Sequence, residues 1–287
     1  MRVTGLPVIE IVHSADSPLN DPTCFLLQAW KDLWGSRVTA ARLFRRKIAQ
    51  NYRYSSLGLA WAFAPPAITA FLLTLSKGIN HKMGAPSQVP PQFYAVFGLM
   101  LAQTFLETFN TQRAIFTQHR YEMSFNRAPM EGPLLAGIAE NLFSLGIKFG
   151  ILIVLFILFQ TPLVTTLPLG LLGIGSIFLL GSGLGLLLAP LSALKIDVEN
   201  AMSFFPWLLF VLTPIFVVAT PGTGLAQIYR YNPFTWAFNA IRAFTYGDPA
   251  GYWMPLTLTI AVSFCLLPLS WLFCRIARPY VMERFLK

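Results

Sequence analysis

Long apolar runs are the feature that most constrains how this chain of 287 residues can fold. A bilayer core about 30 Å thick is crossed by roughly 20 helical residues, and six runs are long and apolar enough to cross it. Only 11% of the residues are charged, whereas a soluble domain carries about 25%. We therefore predict an all-α integral membrane protein with six transmembrane helices. The predicted spans are residues 57–76, 93–116, 133–159, 167–190, 201–219 and 253–274.

Basic residues are distributed unequally between the two sides of these runs. Sixteen of the 21 Lys and Arg residues fall on the side that holds both termini, four fall on the opposite side, and Lys148 lies inside the third run. Because cytoplasmic loops of membrane proteins carry an excess of Lys and Arg, this bias predicts that both termini are cytoplasmic. The net charge of +9 is therefore interpreted as a topology signal and not as a nucleic-acid-binding patch.

The segment before the first run divides into two predicted parts. Residues 1–21 are polar and lack the apolar core of a signal peptide, so we expect a mobile cytoplasmic extension. Residues 22–54 carry apolar positions at spacings of three and four, which predicts an amphipathic helix lying in the membrane interface. Gly35 is a possible break, and the helix serves either as an anchor only or also as a gate. Its apolar face is Leu27, Trp30, Trp34, Val38, Ala41, Phe44, Ile48 and Tyr52.

Two connections between spans are longer and more patterned than simple turns. Residues 117–132 mix charged side chains with aromatic residues and methionines, which is typical of a short amphipathic helix that fits a groove on a cytoplasmic partner. A solvated loop is the alternative. Residues 220–252 contain apolar segments too short to cross the membrane, which predicts short re-entrant or interfacial helices before the last span. The aromatic residues expected at this far membrane surface are Tyr229, Tyr231, Trp236 and Phe244.

Three charged residues, Glu107, Glu140 and Lys148, fall inside predicted spans. A charge at the bilayer centre costs about 2.5–3.5 kcal/mol on insertion scales, so each is expected to face protein or water. Glu140 and Lys148 are about two helical turns apart, near one face of the third span. They are interpreted either as members of structural ion pairs, with Glu107 as a further candidate, or as part of a polar pathway.

The chain has no recognisable catalytic or nucleotide-binding motif. It contains no phosphate-binding G-x-x-x-x-G-K-[ST] loop, no H-E-x-x-H and no G-x-S-x-G. Asp197 and Glu199 resemble an acidic metal pair, but acids at this place also favour a helix N-terminus. We therefore predict no metal, no cofactor and no energy source in this chain. The glycines of the fourth span are interpreted as sites of close helix packing; they are Gly175, Gly181, Gly183 and Gly185.

Three segments resemble the permease subunit of type-2 ABC exporters, and more narrowly the polysaccharide-exporting branch that handles O-antigen, teichoic acid and capsule. "YRYSSLGLAWAFAPP" (52–66) is similar to the family's R-Y-x-x-S-x-L-G-x-x-W-x-x-x-x-P signature, and residues 195–217 resemble its R-D-V…S-P-V stretch. In the second segment Ile196 stands where arginine is usual, and Thr213 where serine is usual. "YNPFTWAFNAIRAFTYG" (231–247) looks like the family's N-P…R…G segment.

The resemblance implies a homodimer in the bacterial inner membrane, with residues 55–287 as its six-span domain and two copies of a separate P-loop ATPase that bind ATP and Mg²⁺. It implies a polyprenyl-pyrophosphate-linked polysaccharide as substrate, and a coupling helix at Gln118–Arg127 that docks into the ATPase. The implied ATPase-coupling residues are Gln118, Arg120, Tyr121, Met123, Phe125 and Arg127. Candidates for the lipid pyrophosphate are Arg45, Arg46, Lys47 and Arg53. Candidates for the substrate pathway between the two copies are Trp61, Phe63, Phe204, Phe205, Trp207 and Phe210.

Other functions stay open at this point. A type-2 ABC exporter of small lipids, drugs or haem would share the same architecture. A membrane-embedded polyprenyl-dependent glycosyltransferase would need acidic residues that converge at a membrane face, and Asp197 and Glu199 are the only candidates in the sequence for that role. A scaffold or assembly factor would need no ATPase. The aromatic residues of the spans can equally be packing residues.

Overall fold

The computed structural model describes residues 21–52, 68, 89–124, 129–161, 164–216 and 224–286. Residues 1–20 of the predicted terminal extension and all of the first predicted span except residue 68 lie outside these residues. The described parts of the chain are all-helical and contain twelve helices. They are α1 Pro22–Gly35, α2 Arg37–Tyr52, α3 Pro91–Arg113, α4 Ile115–Gln118, α5 Arg120–Ser124, α6 Glu131–Leu158, α7 Leu167–Leu194, α8 Ile196–Ser203, α9 Phe205–Leu212, α10 Gly224–Tyr231, α11 Pro233–Tyr246 and α12 Trp253–Leu286.

Three of these helices are long and apolar enough to cross a membrane, namely α6, α7 and α12. They occupy the third, fourth and sixth predicted spans. The second predicted span is helix α3, whose 23 residues extend about 35 Å. Gln103, Glu107 and Asn110 make α3 more polar than the other three long helices.

The described part of the fifth predicted span is not one continuous helix. Helix α8 ends at Ser203 and α9 begins at Phe205, and the Phe204 N–H donates to the carbonyl of Ala201 at 3.2 Å, three residues back. Pro206 has no N–H to continue the α-helical ladder, so the helix is interrupted there. A second break follows at Thr213, directly before Pro214, where the backbone is extended. Run length predicted the apolar character of this segment but not its breaks.

Helix α7 forms the centre of the core because it packs closely against α3, α11 and α12. A Cβ atom added at Gly181 would lie 2.6 Å from the carbonyl oxygen of Phe105, and one at Gly185 would lie 2.2 Å from that of Phe109. Only glycine permits such a close approach of two helix backbones. The interpretation of these two glycines as packing sites is therefore confirmed, whereas a Cβ at Gly175 would meet nothing within 4 Å.

Helices α1 and α2 are separated at Ser36, next to the glycine that the sequence suggested as the break, and they pack against α6. Their buried residues are small: Ala29, Ser36 and Ala40. Four large apolar side chains of the predicted face are exposed, which is the arrangement expected of a helix that lies against lipid, whereas Phe44 of the same face packs against the Phe143 ring of α6 with ring centres 6.4 Å apart. The exposed members are Leu27, Trp30, Trp34 and Val38.

Helices α10 and α11 occupy the connection before the last long helix. Asn232 caps α11 because its side chain accepts a hydrogen bond from the N–H of Phe234 at 2.9 Å. Tyr231 and Trp236 are exposed, as expected of interfacial aromatic residues. Phe244 is not at the surface. It is fully buried and contacts the Trp253 ring edge-on at 4.7 Å, because α11 packs with that face against the core.

Candidate functional site

A polar cleft opens between helices α3 and α6 and has a volume of about 610 Å³. Ile48 of α2 and Phe210 of α9 lie at its edges, and Phe143 of α6 adds a second ring. A cleft lined by amides, carboxylates and hydroxyls within predicted spans must hold water or a polar ligand, because lipid cannot solvate these groups. The polar residues that line it are Gln103, Glu107, Asn110, Thr111, Glu140, Asn141 and Ser144.

One ion pair lies at the wall of this polar cleft. The Lys148 ammonium of α6 donates to Oε2 of Glu107 at 2.6 Å, and the Ser144 hydroxyl donates to the same oxygen at 2.8 Å. Lys148 is buried, whereas the Glu107 side chain is 41% exposed. The sequence had named Glu107 as a possible partner of Lys148, and the structure brings the two together.

Two further polar groups of the cleft have no partner in the described chain. Glu140 makes no hydrogen bond or ion pair with any described residue. Asn141 is only 5% exposed, and its Nδ2 has no hydrogen-bond partner, while its Oδ1 accepts from Thr111 at 3.3 Å. An unsatisfied buried amide costs about 1–3 kcal/mol. These groups are therefore available to a ligand.

A second cleft, of about 290 Å³, lies between α2, the α4–α5 segment and α6. We call it the α2 cleft. Thr111 and Glu140 line both clefts, so the two are neighbours along the same helices. The α2 cleft mixes positive and negative side chains. Its polar residues include Arg46, Lys47, Gln50, Gln118, His119 and Glu122.

His119 lies outside the predicted spans, at the junction of α4 and α5. Burial lowers the pKa of its imidazole, and the positive charges of Lys47 and Arg46 lower it further, against the opposing effect of Glu122. At neutral pH the ring is therefore mostly neutral and can exchange hydrogen bonds without adding charge to the α2 cleft.

The described part of the predicted coupling segment, Gln118–Arg127, comprises the end of α4 at Gln118 and helix α5, Arg120–Ser124. The two helices are separated at His119, where the chain departs from helical geometry. Met123 is buried and anchors the segment, whereas Tyr121 is 65% exposed. Two of the implied coupling residues, Phe125 and Arg127, lie outside the described residues.

Polar contacts attach α5 to two other elements. Arg46 of α2 lies 3.7 Å from Glu122. Arg120 donates to the carbonyl of Phe285 near the end of α12, and its guanidinium lies 4.7 Å from the centre of the Phe285 ring. A displacement of α5 would therefore pull on both α2 and the C-terminal end of α12 through these contacts.

The candidate pathway residues of the fifth run separate into two groups. Phe204 and Trp207 are 67% and 74% exposed. Phe205 instead packs against Phe105 and Phe109 of the core, with ring centres 6.0 and 5.0 Å away. The remaining candidates lie elsewhere: Phe210 at the edge of the polar cleft, and Trp61 and Phe63 outside the described residues.

The candidate pyrophosphate residues are also separated by the structure. Arg46 and Lys47 line the α2 cleft. Arg45, on the same helix, is exposed and does not line either cleft. Arg53 lies outside the described residues.

Sequence reasoning missed the most buried arginine of the described residues. Arg242 is one of the four basic residues that the sequence assigned to the side opposite the termini, but it is only 3% exposed. Its guanidinium donates to the Tyr94 hydroxyl at 2.7 Å and to the backbone carbonyls of Pro214 and Ile215 at 2.9 and 2.7 Å. It thereby satisfies carbonyls that the break after α9 leaves without helical partners. The Asn-Pro…Arg pattern was visible, but the burial of the arginine was not.

Other charged residues serve structural ion pairs. Glu199 contacts Arg113 of α3, so one of the two acids considered for a metal or catalytic pair already has a basic partner. Arg275 of α12 bridges Asp32 of α1 and Glu131 of α6. Within the described part of the chain, no group of three His, Cys, Asp or Glu side chains could hold a metal ion.

Comparison with known families places these features in context. The family model described as ABC-2 type transporter matches residues 40–246. This range includes most of α2, the polar cleft and the described helices from α3 to α11. A comparison with curated proteins gives no match.

Proposed function

This chain belongs to the ABC-2 type transporter family, and we propose that it exports a polyprenyl-pyrophosphate-linked polysaccharide across the bacterial inner membrane. ABC-2 permeases are the membrane subunits of transporters and work with an ATPase partner subunit. The proposal adds that two copies of this chain form the conduit and that both termini lie in the cytoplasm, as the distribution of basic residues predicts.

The attachment of α5 is the observation that supports this function best. Its ring at Tyr121 is exposed, while Arg120 contacts the end of α12 and Glu122 contacts Arg46 of α2. A partner that binds the exposed side of α5 can move the N-terminal helices and α12 together. Such an arrangement couples an ATPase cycle to a gate at the cytoplasmic mouth.

A glycan substrate is supported by the aromatic and polar side chains at the two candidate surfaces. Phe204 and Trp207 present exposed rings, which can contact the apolar faces of sugars. Arg46 and Lys47 line a cleft beside the N-terminal helices, where they can contact a pyrophosphate head. A charged cleft with amides next to it suits a pyrophosphate-linked sugar better than an uncharged small lipid or drug.

A dimer of this chain is supported by the exposed apolar surface of the α8–α9 segment. Ile196, Trp207, Leu208 and Val211 are all exposed there. A seam between two copies can open without disrupting the core of either copy, so it is the physically reasonable place for a wide conduit.

Substitution of Tyr121 tests the coupling assignment. In Tyr121→Ala we expect affinity for the ATPase partner to fall by about tenfold or more, because exposed aromatic anchors dominate many interfaces. The matched control is Tyr231→Ala, another exposed tyrosine, which is predicted to lie on the opposite side of the membrane. The readouts are co-purification with the ATPase and stimulation of ATP hydrolysis. If Tyr121→Ala and Tyr231→Ala bound the ATPase and stimulated ATP hydrolysis equally, the assignment of α5 as the coupling helix would be refuted.

The pyrophosphate assignment is tested by three neutral variants of one helix. Arg46→Gln and Lys47→Gln should each weaken binding of a sugar-free polyprenyl pyrophosphate, because both residues line the α2 cleft. Arg45→Gln should leave binding unchanged, because Arg45 is exposed and lies outside the cleft. An equal loss in all three variants would show that only the overall charge of α2 matters.

A further inference from the structure

The polar cleft between α3 and α6 has a composition that suits a hydroxyl-rich ligand. Carboxylates accept hydrogen bonds, amides both donate and accept them, and the cleft offers both types in Glu140, Gln103 and Asn110. The rings of Phe143 and Phe210 lie at the same cleft. Its volume of about 610 Å³ is within the usual range of small-molecule sites, about 300–1,000 Å³.

Several of these groups have unused hydrogen-bonding capacity. In the described chain, both hydrogen bonds to Glu107 fall on Oε2, which leaves Oε1 available. The Nδ2 of Asn141 is buried and has no partner. Glu140 has no described partner either. Charged and amide groups in a membrane-embedded helix pair are costly unless something satisfies them.

A metal ion fits this cleft less well than a sugar does. The cleft brings two carboxylates, Glu107 and Glu140, but Glu107 is already neutralised by Lys148 at 2.6 Å. The described residues contain no group of three His, Cys, Asp or Glu side chains that could hold a metal ion. The remaining lining groups are neutral amides and hydroxyls, which suit the hydroxyls of a neutral sugar.

We propose that the polar cleft is a sugar-binding site, in which Gln103, Asn110, Glu140 and Asn141 hydrogen-bond the first sugar of a lipid-linked glycan. The inference rests on the glycan-export function proposed above. It adds a recognition site on α3 and α6 that includes Phe210 but not the other aromatic candidates of the α8–α9 segment, Phe204, Phe205 and Trp207. Since Thr111 and Glu140 line both clefts, a pyrophosphate in the α2 cleft would place its attached sugar in the polar cleft.

The test compares two lipid probes on the purified full-length chain in nanodiscs of phosphatidylethanolamine and phosphatidylglycerol. The sugar probe is a radiolabelled polyprenyl pyrophosphate that bears one N-acetylhexosamine, and the bare probe is the same lipid without sugar. We expect the chain to bind the sugar probe about tenfold more tightly, because several hydrogen bonds, one of them to a charged group, are added.

Two cleft variants and one matched control decide the outcome. Gln103→Leu should lower the preference for the sugar probe about three- to tenfold, the usual effect of one lost hydrogen bond, and leave binding of the bare probe unchanged, because Gln103 lines only the polar cleft. Glu140→Gln should lower the preference by a similar factor while it tightens binding of both probes, because Glu140 also lines the α2 cleft and the variant removes a negative charge there. Gln92→Leu removes an amide from the same helix outside the cleft and should retain the full preference. The unfolding midpoint of each variant identifies any variant that misfolds. Because glutamine has nearly the same shape as glutamate, Glu140→Gln still tests the sugar site if Gln103→Leu is unstable.

The possible results distinguish a failure of the sugar-site proposal from a failure of the glycan-export function on which it rests. Equal binding of the two probes, or a preference that survives both cleft variants, would overturn the sugar site and leave the exporter function intact. Failure of both probes to bind would refute the polyprenyl-linked glycan as substrate, and the sugar site with it.

Discussion

The two faces of helix α3 have opposite characters. The face toward α7 is dry and closely packed, with Phe105 and Phe109 against Gly181 and Gly185. The face toward α6 carries Gln103, Glu107 and Asn110 and borders an open cleft. One helix thus joins the closely packed core of the protein to an open polar cleft.

The difference between the two faces shows how a membrane helix can carry polar groups and still be held in a fixed position in the bundle. Tight contact of the two backbones fixes α3 against α7 by dispersion and exclusion of lipid. The opposite face can then carry residues that contribute little to stability and are available for ligands. We expect substitutions on the two faces to have separate effects, and the following predictions test that separation.

The largest effect is expected at the tight face. In Gly185→Ala the new methyl group would lie 2.2 Å from the backbone carbonyl oxygen of Phe109, so the helices must separate. We expect a loss of about 3 kcal/mol in the free energy of unfolding, the upper end of typical overpacking costs. Gly175→Ala, on the same helix with no neighbour within 4 Å, should be neutral or stabilise by up to about 1 kcal/mol. Unfolding in detergent with increasing SDS measures both, and similar losses would refute the packing difference.

A smaller effect is expected at the ion pair on the open face. Lys148→Met leaves the Glu107 carboxylate without its partner, which should cost about 2 kcal/mol because Glu107 is partly accessible to solvent. The double variant Lys148→Met/Glu107→Gln should recover most of this loss, because no uncompensated charge remains. A double-mutant cycle gives the coupling energy. A double variant as unstable as the single one would show that the pair does not interact in the membrane.

The remainder of the open face should tolerate substitution. Gln103→Leu should change the free energy of unfolding by less than about 0.5 kcal/mol, because the side chain borders a cleft and not a packed interface. The same variant is expected to lose sugar preference. A large loss of stability here would place Gln103 among the structural residues and contradict the division of α3 into two faces.

The smallest effect concerns pH. The pKa of His119 is lowered in the folded protein, chiefly by burial, so the unfolded chain binds more protons once the pH falls below the ordinary value of 6.5. Stability should therefore decrease as the pH falls below that value. His119→Gln should remove this part of the dependence, as measured by thermal unfolding between pH 5.0 and 7.5. A His119→Gln variant with an unchanged profile would assign the dependence to other groups.

Much of the fold could be predicted from run length and hydropathy. Helices α6, α7 and α12 follow from apolar runs that must be satisfied within the membrane. The breaks at Phe204 and Thr213 could not be placed in the same way, because prolines within membrane helices are sometimes accommodated without a break. The glycines of α7 indicated close packing, but not which helix approaches.

The candidate site was only partly accessible to sequence reasoning. Charged residues inside apolar runs are conspicuous, so Glu107, Glu140 and Lys148 could be singled out. Gln103 and Asn141 could not, because an isolated amide in an apolar run gives no signal until the facing helix is known. The burial of Arg242 depends on the carbonyls exposed by the break after α9, which is a property of the tertiary structure.

ATP-driven movement of a lipid-linked glycan tests the central claim most directly. The chain would be reconstituted into liposomes with its ATPase partner subunit, and a polyprenyl-pyrophosphate-linked oligosaccharide would be supplied on the ATPase side. We predict that ATP makes the sugar accessible to a glycosidase on the opposite side, and that omission of the ATPase or of this chain abolishes the signal. Movement that is independent of ATP, or ATP-driven movement of a small lipid or haem but not of the glycan, would contradict the account.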